Sequence, residues 1–246
     1  MRIRCCLAIL TAGIALGQSS ETTKDHQIAL GRQLAESLGR RTTAVQDPAV
    51  RAYVKQVGDR LAPHFPGDWP YQFEPIQESL LGSLHEPKAL PGGIIFVSQN
   101  LIVAANTESE FAGILAHAMA HVADDKWEQD AQSRAAIENP FATPLAMFPL
   151  QGELEQRADL AAVRAMAAAG YDPAGLASYI ERIRATSSAR VFVEVPERRV
   201  ASIRAGIGNL PPREYPPDSQ EFLKTKADLK YQTSQREAVK PTLYRK

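Results

Sequence analysis

The chain has 246 residues, 44% of them hydrophobic, with 28 basic against 28 acidic side chains. That is enough apolar material for one large domain, and the balanced charge gives no pull toward nucleic acid or an anionic membrane surface. The only cysteines are Cys5 and Cys6, so the fold must be held by its core, helped by any metal it binds, rather than by disulfides.

In chain order, Arg2 and Arg4, the apolar run Cys5–Leu16 and the small residues Ala15-Leu16-Gly17 read as a secretory signal with cleavage before Gln18. The run is shorter than the roughly 20 residues of a spanning helix, and no later segment comes close; the alternative is an uncleaved N-terminal anchor. The reading is an exported protein, periplasmic or secreted, with no membrane span in the mature chain. Removing residues 1–17 takes away both cysteines and two arginines and leaves a net charge of −2.

Residues 18–229 then read as one domain. Ile28, Leu30, Leu34 and Leu38 suggest a first amphipathic helix. Asp47-Pro48 is a cap followed by proline at the first helical position, opening a helix whose Val50, Val54, Val57 and Leu61 recur at helical spacing. Residues 71–76 alternate like a strand, Leu90-Pro-Gly-Gly93 is a turn, and Ile94–Val97 is a short buried strand. Thr107-Glu-Ser-Glu110 is a capping box, with Glu110 reaching back, at the start of a helix ending near Ala123. A Pro-rich connection over about 139–150 leads to a helix over about 152–169 that stops at Gly170. Asp172-Pro173 opens another, with Leu176, Ile180 and Ile183 facing inward. Short helices are expected near 197–205 and 219–229, and residues 230–246, without clear periodicity, form a C-terminal tail expected to be mobile.

His117 and His121 are four apart, so both imidazoles stand on one helix face, where their nitrogens can converge on one Zn²⁺. Alone the pair fits two histidines on a semi-buried face equally well. Glu155 and Asp159 share a face of the next long helix. Glu155 can complete a two-His, one-Glu site that leaves a position for water, and Asp159 can accept the other N–H of a ligating histidine. The plainer alternative is that acidic residues near a helix start favour its dipole.

Four ordered blocks carry a resemblance: Ala89-Leu-Pro-Gly-Gly-Ile-Ile-Phe-Val97, Thr107-Glu-Ser-Glu-Phe-Ala-Gly-Ile-Leu-Ala-His117, Glu155-Gln-Arg-Ala-Asp159 and Ala169-Gly-Tyr-Asp-Pro173. Together they resemble metallopeptidase family 48, which contains the CAAX prenyl endopeptidases, the HtpX-like heat-shock proteases and soluble periplasmic relatives. The resemblance covers roughly residues 28–205. It implies a mostly helical α+β, zincin-like domain with a small sheet beside the metal-binding helix. It further implies one Zn²⁺ on His117, His121 and Glu155, with Asp159 behind the ligands. An extended or unfolded polypeptide would add to the sheet edge near Pro91, Gly92 and Gly93, because edge addition uses backbone hydrogen bonds.

Three departures stand out. The family pattern H-E-x-x-H reads His117-Ala118-Met119-Ala120-His121 here, so the general base is replaced by Ala118. That residue class contributes about 10²–10⁴-fold. Glu110 is too distant along the helix to substitute, and Asp124 and Asp125 point elsewhere unless the helix ends early. The segment before the glycine turn begins Glu86-Pro87 where the family has asparagine and alanine. The histidine of a family His-Pro pair is absent, Val195-Pro196 being the nearest match. The expected function is therefore a zinc-binding, exported pseudoenzyme with lost or strongly reduced peptide hydrolysis and a retained polypeptide groove. Two alternatives stand beside it. One is an active zinc metalloendopeptidase, acting on unfolded or envelope proteins with an unrecognised base or with Ala118 introduced by mutation. The other is a scaffold in which the histidines are leftovers.

Overall fold

The computed structural model describes residues 15–77, 86–124, 148–186 and 196–239. Most of the apolar N-terminal run, most of the Pro-rich connection, Asp125 and residues 240–246 lie outside them. The architecture is mostly helical with one three-stranded sheet.

Helix α1 spans Ala15–Gly39 and α2 Pro48–Leu61. Asp47 caps α2 by accepting the Ala49 N–H at 2.9 Å, and Pro48 takes the position whose missing donor costs nothing. Val50, Val54, Val57 and Leu61 form its buried stripe.

Strands β1 (Gln72–Ile76), β2 (Lys88–Ala89) and β3 (Ile94–Ser98) lie in the order β1-β3-β2. β1 runs parallel to β3, pairing Gln72 with Ile94, while β2 runs antiparallel, pairing Ala89 with Ile95. β3 is buried at every position, as a central strand covered on both faces should be.

The turn joining β2 to β3 places Gly92 at φ +75°, a conformation that favours glycine. Helix α1 rests directly on it. A Cβ on Gly31 would meet the Pro91 carbonyl oxygen at 1.8 Å, and one on Gly92 would meet the Ile28 Cα at 2.5 Å. Only glycine backbones approach this closely.

After α3 (Gln99–Ala104), helix α4 (Glu108–Ala123) runs through the centre of the molecule, buried along nearly its whole length. It packs chiefly on α5 (Phe148–Ala169) and α6 (Ala174–Thr186), with β2 and α2 alongside. α5 begins a little before the expected residue 152 and ends at Gly170, φ +82°, where the Tyr171 N–H bonds the Met166 carbonyl at 2.9 Å. Asp172 accepts the Ala174 N–H to start α6, and Leu176, Ile180 and Ile183 face the core.

Helices α7 (Pro196–Gly208) and α8 (Gln220–Val239) complete the chain. α8 continues past Leu229, where periodicity fades, because Phe222 and Leu229 seat its earlier turns in the core. The Phe222 ring lies 6.2 Å from Tyr53, itself stacked on Phe111 at 5.6 Å. No helix of the described residues is long and apolar enough to cross a membrane.

Candidate metal centre

The two ends of α4 hold different polar networks. At its start, Thr107 accepts the Glu110 N–H at 3.1 Å. Glu110 reaches back to the Asn106 N–H at 2.7 Å, one residue further out than a simple capping box, and pairs with Arg182. Glu108 accepts from Tyr53 Oη, the Ser219 N–H and Ser219 Oγ, while its own N–H donates to Asp218 at 2.7 Å. The linker into α8 therefore clamps the start of the helix.

Two turns on, one helical period brings His117 and His121 to the same face, with their Nε2 atoms 3.1 Å apart. α5 packs against that face and presents Glu155, whose carboxylate straddles the pair. Oε2 is 3.2 Å from His117 Nε2, and Oε1 is 3.4 Å from His121 Nε2. One turn further along α5, Asp159 Oδ1 lies 2.8 Å from His117 Nδ1. His117 is buried and Asp159 is fully enclosed.

The sequence reading missed Arg199 on α7. Only 3% exposed, it grips Asp159 with two hydrogen bonds, Nε to Oδ2 at 2.9 Å and Nη2 to Oδ1 at 2.8 Å. This two-pronged geometry is the strong form of a charge-assisted pair. Its third nitrogen, Nη1, lies 3.2 Å from Glu86 Oε1 and 3.5 Å from Glu155 Oε2. A signal was available: Arg199 stands four before buried Ile203 and beside buried Val200, which places it on the inner stripe of α7.

Electrostatics follow from these contacts. Burial disfavours a charge on His117, but Asp159 and Glu155 outweigh it and hold the metal-free imidazole up to about 10. Burial pushes Glu155 upward, and the two histidines pull it well below the usual carboxylate range. Asp159 is likewise lowered against burial, by His117 and Arg199.

The donor set fits a metal. One atom from each of His117, His121 and Glu155 lies within 4.8 Å of the others. Bonds of about 2.0–2.1 Å to a tetrahedral Zn²⁺ imply ligand atoms about 3.3 Å apart, and the separations here are 3.1, 3.2 and 3.4 Å. Asp159 accepting from Nδ1–H leaves the Nε2 lone pair of His117 for the ion.

Ala118, directly after His117 on α4, is 1% exposed and belongs to the main core. Asp124 turns away to Arg157, with a bond of 3.0 Å to its Nε. Pro91, Gly92 and Gly93, expected to form the substrate edge, are all buried, Pro91 and Gly92 against α1 and Gly93 against Pro70 and Tyr71. Backbone of α1 lies directly on the Pro91–Gly92 part of the turn. Among the described residues, β2 is the sheet edge beside α4, with Lys88 exposed and Ala89 half-buried.

Residues 48–137 match the family model of peptidase family M48. The matched stretch holds β1 to β3, the glycine turn, His117 and His121; Glu155, Asp159 and Arg199 lie beyond it. It supports the M48 metallopeptidase family, and the His–His–Glu cluster is compatible with metal binding. No curated protein matches the chain.

Proposed function

We propose that this is an exported zinc protein of the metallopeptidase fold, in which peptide hydrolysis is lost or strongly reduced and binding of extended polypeptide is kept. The observation that supports it most is a His–His–Glu ligand set drawn from two helices, with alanine following the first histidine. His117, His121 and Glu155 converge as zinc ligands should, while Ala118 lies in the core and carries no proton acceptor.

Bound zinc would supply Lewis acidity and a water of lowered pKa. The chain's own residues do the rest. Asp159 fixes the His117 ring through Nδ1, and Arg199 fixes Asp159. β2 offers edge backbone groups to an extended chain lying beside α4. The proton transfers that a glutamate at 118 would perform have no agent on this helix.

The test compares the zinc-loaded native protein with Ala118→Glu in digesting an unfolded protein, with zinc content measured in both. The expected result is one zinc per chain, and cutting by the variant alone. Chelator-sensitive cutting by the native protein overturns the loss of hydrolysis. Absence of zinc from the native protein after zinc dialysis overturns the metal reading.

A further inference from the structure

Glu86 stands immediately before the β2 edge, its side chain 31% exposed, and belongs to neither helix that supplies the ligands. Its carboxylate nevertheless meets the site, through a guanidinium whose remaining nitrogens are committed to Asp159. The same Arg199 Nη1 lies 3.2 Å from Glu86 Oε1 and 3.5 Å from Glu155 Oε2. The chain Glu86–Arg199–Asp159–His117 is thus continuous from the sheet edge to a ligand.

Charge counting gives this contact a purpose. Ligating imidazoles are neutral, so a loaded site holds a divalent cation and Arg199 against Glu155 and Asp159, leaving one uncompensated positive charge. Buried charge of that kind is costly unless paired. A glutamate at position 118 would cancel it from the helix side, and Ala118 does not. Glu86 supplies the missing negative charge through its contact with Arg199.

We propose that Glu86 is the charge-balancing and positioning carboxylate of the metal site, taking over from the sheet edge the electrostatic part that Ala118 leaves vacant. The proposal rests on the metal reading above. Two consequences separate it from a simple latch between β2 and α7. Glutamine can still accept the Arg199 hydrogen bond but carries no charge, so Glu86→Gln preserves a latch and removes the compensation. A carboxylate restored at position 118 becomes a substitute for Glu86 rather than an independent addition.

The experiment measures zinc affinity by competition with a colorimetric chelator. It uses the full native chain, Glu86→Gln, Glu86→Asp, the double variant Glu86→Gln/Ala118→Glu, and Glu74→Gln at the other edge of the sheet as a control. Partners behind metal ligands are typically worth about 10–100-fold in affinity, and Glu86→Gln is expected to weaken zinc binding by roughly tenfold. Glu86→Asp and the control keep most of the affinity, and the double variant recovers it. Native-like affinity in Glu86→Gln overturns the proposal, as does equal loss in Glu86→Asp, which marks a role of shape rather than charge. A native protein that binds zinc no better than His117→Ala removes the metal reading and this proposal together, and is recognised before any Glu86 variant is compared.

Discussion

The two ends of α4 are built from similar materials to different ends. At the N-terminal turn, Glu108 and Glu110 are met by donors whose number and direction suit them: backbone N–H groups, hydroxyls and Arg182. At the C-terminal half, two imidazole nitrogens face each other and a carboxylate at 3.1–3.4 Å, with the Asp159 carboxylate behind His117. The first network completes itself as a helix cap. The second brings acceptors together in an arrangement compatible with a metal ion, and in its absence the two carboxylates favour a proton on His117. Burial and polarity alone do not mark a functional site; convergence of like-natured donor atoms does.

Substitutions can break this contrast. The largest expected effect is on zinc: His117→Ala or Glu155→Ala lowers affinity beyond the roughly 100-fold that residues behind the ligands can cost. Glu108→Ala leaves affinity close to native and lowers the melting temperature instead. Chelator competition and thermal unfolding on the same samples give both values, and a Glu108→Ala protein that loses zinc removes the distinction.

Next comes the loss of the buried guanidinium. Arg199→Ala removes the two-pronged partner of buried Asp159 and leaves it His117 alone, a loss expected near the lower end of the about 3–5 kcal/mol of a broken buried pair. Arg182→Ala exposes Glu110 to nearby solvent and costs about 1–3 kcal/mol. Urea unfolding of the metal-free proteins measures both, and equal losses would show that the two ends bear charge alike.

Removing the metal is a smaller change. Free zinc at one hundred times its dissociation constant stabilises by about 2.7 kcal/mol, so chelation should lower the melting temperature by roughly 5–10 °C for a chain of this size. His121→Ala should show no such shift.

The gentlest probe is pH. Metal-free His117 is held up at about 10, above its ordinary value of 6.5. Its contribution is therefore complete below about 6.5 and lost as pH rises through 10. Urea midpoints of the metal-free protein should fall over that window, and His117→Asn should flatten the decline. In the zinc-loaded protein the imidazole is already neutral, so the slope should be weak there as well.

Much of this was legible from the residues. Asp47-Pro48, Thr107 and Asp172-Pro173 mark helix starts through local hydrogen bonds, and Gly170 marks an end, so short-range rules locate them. The four-residue spacing of the histidines, and of Glu155 with Asp159, follows from the helical repeat. What stayed hidden depends on packing between distant segments. Arg199 approaches Asp159 from 40 residues away and Glu86 approaches Arg199 from 113 away, and no local pattern encodes either meeting. The glycine turn was found, but a sequence shows that Gly92 must be bare without showing that α1 is what presses on it.

That pressing has a consequence for assembly. α1 precedes its own seat in the chain, since residues 91–93 follow β1 and β2, and the contact between Gly31 and Pro91 allows no interposed side chain. The first helix cannot finish docking until the strand turn has closed, so it belongs among the last pieces to lock. A methyl group at Gly31 should therefore let the sheet and α4 form as before, and leave a folded body with its leading helix unfastened.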